Sequence, residues 1–324
     1  MKAYFNPYYG NNIVQFFSTL FNRLINGELP LVADEVQMLT LIMWGVSASF
    51  LGCFLMYRKE TMVANSISHT VLLGIVLSFL AMSSIFSLTE LSHGIDFSLL
   101  LVSALFTGFL TVSLIRFLHK VLKVQLDASN GLIFNFLFAL GVILVTIFFK
   151  NSHIGLELMM GNVDNLNEQD MGSSFYILLF SLVCILPFFK YWKVFVFDQR
   201  YAKILGIKVG LLQSLFTFLI ALNVVGAIRA VGVLMMLALI TAPVICARLL
   251  SFRLKKIMMI ACLISILSSL LGVALSRHLL SVYSLAISTG GLVVCILFLV
   301  VLLLLLLSLK KKAIQHLTSR VIKE

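Results

Sequence analysis

Nine apolar runs, each about 18 to 25 residues and long enough to cross a hydrocarbon core of about 30 Å as helices, follow one another along the chain. They fall at 38–57, 61–83, 97–118, 131–149, 174–192, 211–228, 231–250, 257–276 and 285–309. Only Arg229 and Ala230 separate the sixth run from the seventh, so a single broken or re-entrant helix reads the same way there. Ahead of the first run, Ile13, Phe16, Phe17, Leu20, Phe21 and Leu24 recur at helical spacing, the stripe of an amphipathic helix. Such a stripe lies along the membrane interface or packs on the bundle. The pattern predicts an all-α polytopic membrane bundle of about nine helices, within a range of eight to ten. A segment 1–36 with an interfacial helix precedes a membrane domain at 37–309, and a basic tail at 310–324 follows it.

Composition agrees: 61% of the 324 residues are hydrophobic and 11% charged, far from the quarter or so of charged residues in a soluble domain. The surplus of 24 Lys and Arg over 13 Asp and Glu could mark a nucleic-acid or lipid ligand, but it sorts by loop. One set of loops holds nineteen basic and four acidic residues, the other five and nine, so the two sides carry +15 and −4. By the positive-inside rule the C-terminus is cytoplasmic and the N-terminus outside, and nucleic acid is no partner. The five cysteines lie in apolar runs without CxxC spacing and read as small buried hydrophobes.

Polar groups within the spans carry the chemistry, because a mid-bilayer charge costs roughly 2.5 to 3.5 kcal/mol or more. No span interior holds an Asp or Glu, which weighs against a gradient-driven carrier. The second span is the exception to an apolar interior. His69 lies eight residues in from Thr61, about 12 Å along a helix, and Asn65 precedes it by one turn on the same face. Ser66 and Ser68 add hydroxyls nearby. Imidazole ligates zinc, manganese and iron(II), and an amide oxygen is a weaker ligand; alternatively the imidazole hydrogen-bonds a neighbouring helix. HExxH, GxSxG and GxxxxGK[ST] are all absent, so neither an intramembrane protease nor an ATPase is encoded. In the basic stretch 193–210, Asp198 can cap a short helix and Gly206 can end it. Such a helix suits a soluble partner, and an ordinary headgroup-anchored loop reads the same way.

Three stretches in order resemble the permeases of metal-ion ABC importers. RKETMVANSISH (58–69) resembles R-R-x-x-L-x-G-D-A-x-S-H; FDQRYAKILG (197–206) resembles F-D-P-E-[FY]-A-x-x-x-G; VGVLMMLALITAPVICARLL (231–250) resembles V-G-x-L-L-x-x-A-L-L-I-x-P-A-x-x-A-R. Asn65 stands where the family pattern has Asp. A fourth stretch, SRHLLSVYS (276–284), resembles S-Y-H-L-D-x-P-[TS]-G, with His278 kept and Leu280 in place of Asp.

The resemblance implies a non-enzymatic permease subunit of a bacterial inner-membrane importer for zinc, manganese or iron(II). A separate cytoplasmic subunit would use ATP, and an extracytoplasmic metal-binding protein would deliver the ion. No cofactor is permanently bound; the dication is cargo. Asn65 and His69 would form a weak site on the path, with His278 at the outer mouth. Asp198, Gln199, Arg200, Tyr201, Ala202, Lys203 and Gly206 would contact the ATPase. The two missing carboxylates suggest pairing with a different second permease that retains them. A siderophore or cobalamin permease, and a channel or gradient-driven carrier, are the rival readings.

Overall fold

A computed structural model describes residues 7–8, 10, 12–26, 31–85, 97–148, 161 and 163–321. Two further histidines, His93 and His153, both between apolar runs, lie outside them. The helices are α1 (Ile13–Asn26), α2 (Ala33–Arg58), α3 (Thr61–Ile85), α4 (Phe97–Val121), α5 (Leu126–Phe148), α6 (Glu168–Ile185), α7 (Phe189–Phe197), α8 (Gln199–Ile204), α9 (Val209–Val231), α10 (Val233–Leu250), α11 (Leu254–Tyr283) and α12 (Thr289–Val321). Among the described residues, eight helices are long and apolar enough to cross a membrane, or nine if α6 and α7 make one bent span.

The fifth apolar run is therefore not the straight helix its hydropathy predicts. It turns by 77° between α6 and α7, at Pro187, whose ring removes an N–H and clashes with the preceding turn. Trp192 Nε1 donates to the Cys184 carbonyl at 2.9 Å across the break. The sixth and seventh runs form separate helices, parted by Gly232 at φ +83°.

The chain divides into two compact units. The first comprises residues 1–53, 163–171 and 238–324. In it α12 and α1 both pack on α11, with Phe16 and Leu20 of the N-terminal stripe buried and Phe21 exposed. Small residues let backbones approach: a Cβ at Gly52 would fall 2.1 Å from the Ile240 carbonyl oxygen, and one at Gly45 would fall 2.1 Å from Ser265 Oγ. Close contact of this kind replaces the hydrophobic effect as the glue between helices in lipid. Charges gather at the start of α2. Arg277 pairs with the buried Asp34, and Glu35 accepts from Arg23 Nε at 2.7 Å and from the Tyr8 hydroxyl at 2.6 Å. Burial, then the hydrogen bond to Glu35, push the Tyr8 hydroxyl well above its ordinary pKa. Beside Asp34 and Arg277 a cavity of about 360 Å³ is lined also by Gln37, Asp164 and Thr289. Asp164 accepts there from Gln37 Nε2 at 3.0 Å and from the Thr289 hydroxyl at 2.5 Å.

The second unit comprises residues 54–162 and 172–237. Helix α3 is its centre, packed against α4, α5 and α9. The hydroxyls of Thr70 and Thr111 meet at 2.8 Å between α3 and α4, and Asn223 of α9 donates to Ser181 Oγ of α6 at 2.9 Å. Leu73, Ile115, Ile133 and Leu137 form an apolar cluster where α3, α4 and α5 meet.

Candidate functional site

Helix α3 begins at Thr61, as the sequence predicts, so His69 sits two turns in and Asn65 one turn before it. Both are half-buried, whereas Ala64, Ser66, Ile67, Ser68 and Thr70 around them are buried. The imidazole ring lies 4.9 Å from the Phe134 ring and meets Phe138 edge-on at 5.7 Å, both on α5. Its Nδ1 is buried and has no hydrogen-bond partner. Aromatic packing therefore orients this ring, and Nδ1 makes no bond to a neighbouring helix. The two serines do not join the histidine: Ser66 donates to the Met62 carbonyl at 3.0 Å and Ser68 to the Ala64 carbonyl at 2.8 Å. Each hydroxyl is spent on its own helix, as serines in helices commonly are.

The stretch around Asp198 folds as the short helix α8. Asp198 has extended backbone, and its Oδ1 accepts from the N–H groups of Arg200 at 2.8 Å and Tyr201 at 3.1 Å, satisfying two of the donors a helix start leaves unpaired. Gly206 ends it at φ +74°, with Ile207 N donating back to the Ala202 carbonyl at 3.1 Å, the six-to-one bond of a Schellman ending. Ala202 is fully buried and fixes the helix on its neighbours α7 and α9. Gln199, Arg200 and Lys203 are exposed, as are Tyr201, Ile204, Leu205 and Phe197, Ile204 by 81%. Apolar and cationic side chains thus share one outward surface.

Arg58, between the first two apolar runs, is one of the nineteen basic residues that sort to one set of loops; the structure buries it. Its side chain is 6% exposed and pairs with Glu60 at 2.6 Å. The guanidinium lies 4.4 Å from the Phe195 ring centre on α7 and 5.6 Å from that of Phe216 on α9. Gln199, with its amide oxygen turned toward it, accepts from both terminal nitrogens at 2.8 Å. Arg58 thus joins the end of α2, the start of α3, and helices α7, α8 and α9. Its place in an arginine-led motif was visible in the sequence, but its aromatic partners, about 140 to 160 residues away, were not.

His278 belongs to the first unit, on α11, with Nδ1 buried and unpartnered and its ring 6.0 Å from that of Tyr283. Among the described residues no three His, Cys, Asp or Glu side chains converge on a point where a metal ion could be held. A dication at His69 would therefore draw its other ligands from amides, backbone, water or a partner subunit.

Residues 35–308 match the model of the ABC 3 transport family. The chain is 37% identical over 300 residues to a probable metal transport system membrane protein of Chlamydia muridarum, covering 92% of this chain and 93% of that one. It is 33% identical over 244 residues to a manganese transport system membrane protein of Bacillus subtilis, covering 71% and 79%. Among solved structures, PsaBC from Streptococcus pneumoniae in complex with Fab superposes with a TM-score of 0.70 at 24% identity over 89% of this chain and 95% of that chain, a likeness of fold. With all but the two ends of the chain inside the family match, this protein is a member of the ABC 3 transport family.

Proposed function

We propose that the chain is the permease subunit of an ABC importer that carries a divalent transition metal, of the zinc, manganese and iron class, into a bacterial cytoplasm. The observation that carries this reading is His69. A half-buried imidazole two turns into a span, flanked by Asn65 and held by Phe134 and Phe138, is a ligand kept ready in a place where polar groups are costly. The relatives' names, metal and manganese transport systems, support the same cargo. A neutral, incomplete site suits a path, because an ion bound too tightly does not leave.

In this reading α8 is the surface on which a cytoplasmic ATP-binding subunit sits, with the C-terminus on the same side. A metal-binding protein outside delivers the ion toward the mouth marked by His278. A second permease completes the path, and one with a carboxylate where this chain has Asn65 would supply the missing charge. Purifying the intact complex and counting its permeases tests that pairing: two copies of this chain and no other permease would exclude it. The central test is uptake of manganese into vesicles holding the assembled complex. His69→Ala is expected to abolish uptake while the subunits still co-purify, and wild-type uptake would remove His69 from the path.

A further inference from the structure

Asn130 on α5 is 2% exposed, and neither its amide oxygen nor its amide nitrogen has a hydrogen-bond partner. A buried amide with both ends unsatisfied is rare in a folded protein and calls for an explanation. Two observed contacts fix where it lies. His69 touches Phe134, and Leu73, one turn further along α3, is met by Gly141, where a Cβ would fall 3.2 Å from the Leu73 amide nitrogen. Both contacts advance along α3 and α5 in the same direction, so the helices run parallel. His69 and Phe134 are each eight residues from their helix starts; Asn65 and Asn130 are each four. One turn back from the His69–Phe134 contact, the seam between α3 and α5 therefore sets Asn130 level with Asn65. At the helical 100° per residue, Asn130 lies only about 40° around α5 from Phe134, on the stripe that meets α3.

We propose that Asn130 is a second station of the metal path, its amide oxygen ligating the dication together with Asn65 as the ion leaves His69. This rests on the reading of His69 as part of the path. Imidazole followed by two amide oxygens is a neutral, increasingly oxygen-rich ligand set. It suits a hard dication such as manganese better than a thiophilic one, since carbonyl oxygen prefers the harder ions. The amide also explains its own burial: it is kept unpaired within the protein so that it is free for the ion.

The test uses the assembled complex in vesicles with manganese as the probe. Asn130→Leu matches the amide in size and removes the ligand; manganese uptake at subsaturating ion is expected to fall about tenfold or more while the thermal midpoint holds or rises. Asn130→Asp adds charge to the same station; that complex, without ATP, is expected to retain manganese through desalting and to show a broadened manganese EPR spectrum. Wild-type uptake by Asn130→Leu, or no retained manganese in Asn130→Asp, overturns the proposal. His69→Ala measured alongside separates the two readings. Its failure to lower uptake fells the path itself, whereas a dead His69→Ala beside a fully active Asn130→Leu fells only the second station.

Discussion

The guanidinium of Arg58 lies 4.4 Å from the centre of the Phe195 ring. With Phe216 nearby and Glu60 and Gln199 in hydrogen-bond reach, it is a desolvated cation whose planar face and edge are both used. Arg58→Ala removes the stack and leaves Glu60 without its partner, at a cost of about 3 kcal/mol. Lysine keeps the charge but loses planarity and the paired donors, so Arg58→Lys is expected to fall between wild type and Arg58→Ala in thermal midpoint. In the assembled complex both variants should raise the ATP consumed per metal ion imported. An unchanged ratio would show that Arg58 only stabilises the fold.

Asp198 is the one side chain capping the six-residue α8. Loss of such a cap costs about 1 kcal/mol, enough to fray so short a helix. Asp198→Ala is expected to weaken retention of the ATP-binding subunit in co-purification, and Asp198→Ser, which caps as well, to restore it. Equal retention by all three would remove α8 from that interface.

Close backbone approach makes a sharp contrast among glycines. At Gly52 a methyl would meet the rigid Ile240 carbonyl, whereas at Gly172, within α6, it would meet nothing within 4 Å. Gly52→Ala should destabilise by about 1 to 3 kcal/mol through overpacking. Gly172→Ala should stabilise by roughly 0.4 to 1 kcal/mol by stiffening the unfolded chain. Thermal midpoints in detergent check both signs.

The Thr70–Thr111 contact is a hydrogen bond between membrane helices, and such bonds average only about 0.6 kcal/mol. Thr111→Val is therefore expected to lower the midpoint slightly and to leave uptake unchanged. A loss comparable to that of Arg58→Ala would mean that the α3–α4 contact does more than pack.

Much of this was legible along the chain. Hydropathy located the spans because a lipid-facing helix must be apolar over its whole length. Asp198 and Gly206 announced α8 because a cap and a left-handed ending depend on residues within one turn. The bend at Pro187 was written in the sequence too, but the length of its apolar run masked it. Along the chain Arg58 looks like a loop charge because neither Phe195 nor Phe216 is close to it in sequence. Asn130 gave no signal at all: an asparagine just ahead of the apolar run 131–149 is ordinary until its surroundings are known.

By itself, then, the sequence determined what depends on short-range chemistry: the apolar spans, the loop charges that sort by side, the local caps, and a histidine one turn past an asparagine. Tertiary structure alone decided what depends on which helices touch. It set the parallel packing of α3 on α5 that places aromatic rings around His69 and an unpaired amide level with Asn65, and it enclosed Arg58 between rings from α7 and α9. Side-chain environment is a property of neighbours in space, and in a membrane bundle those neighbours are set by close helix contacts at small residues such as Gly74 and Gly141, which hydropathy does not record.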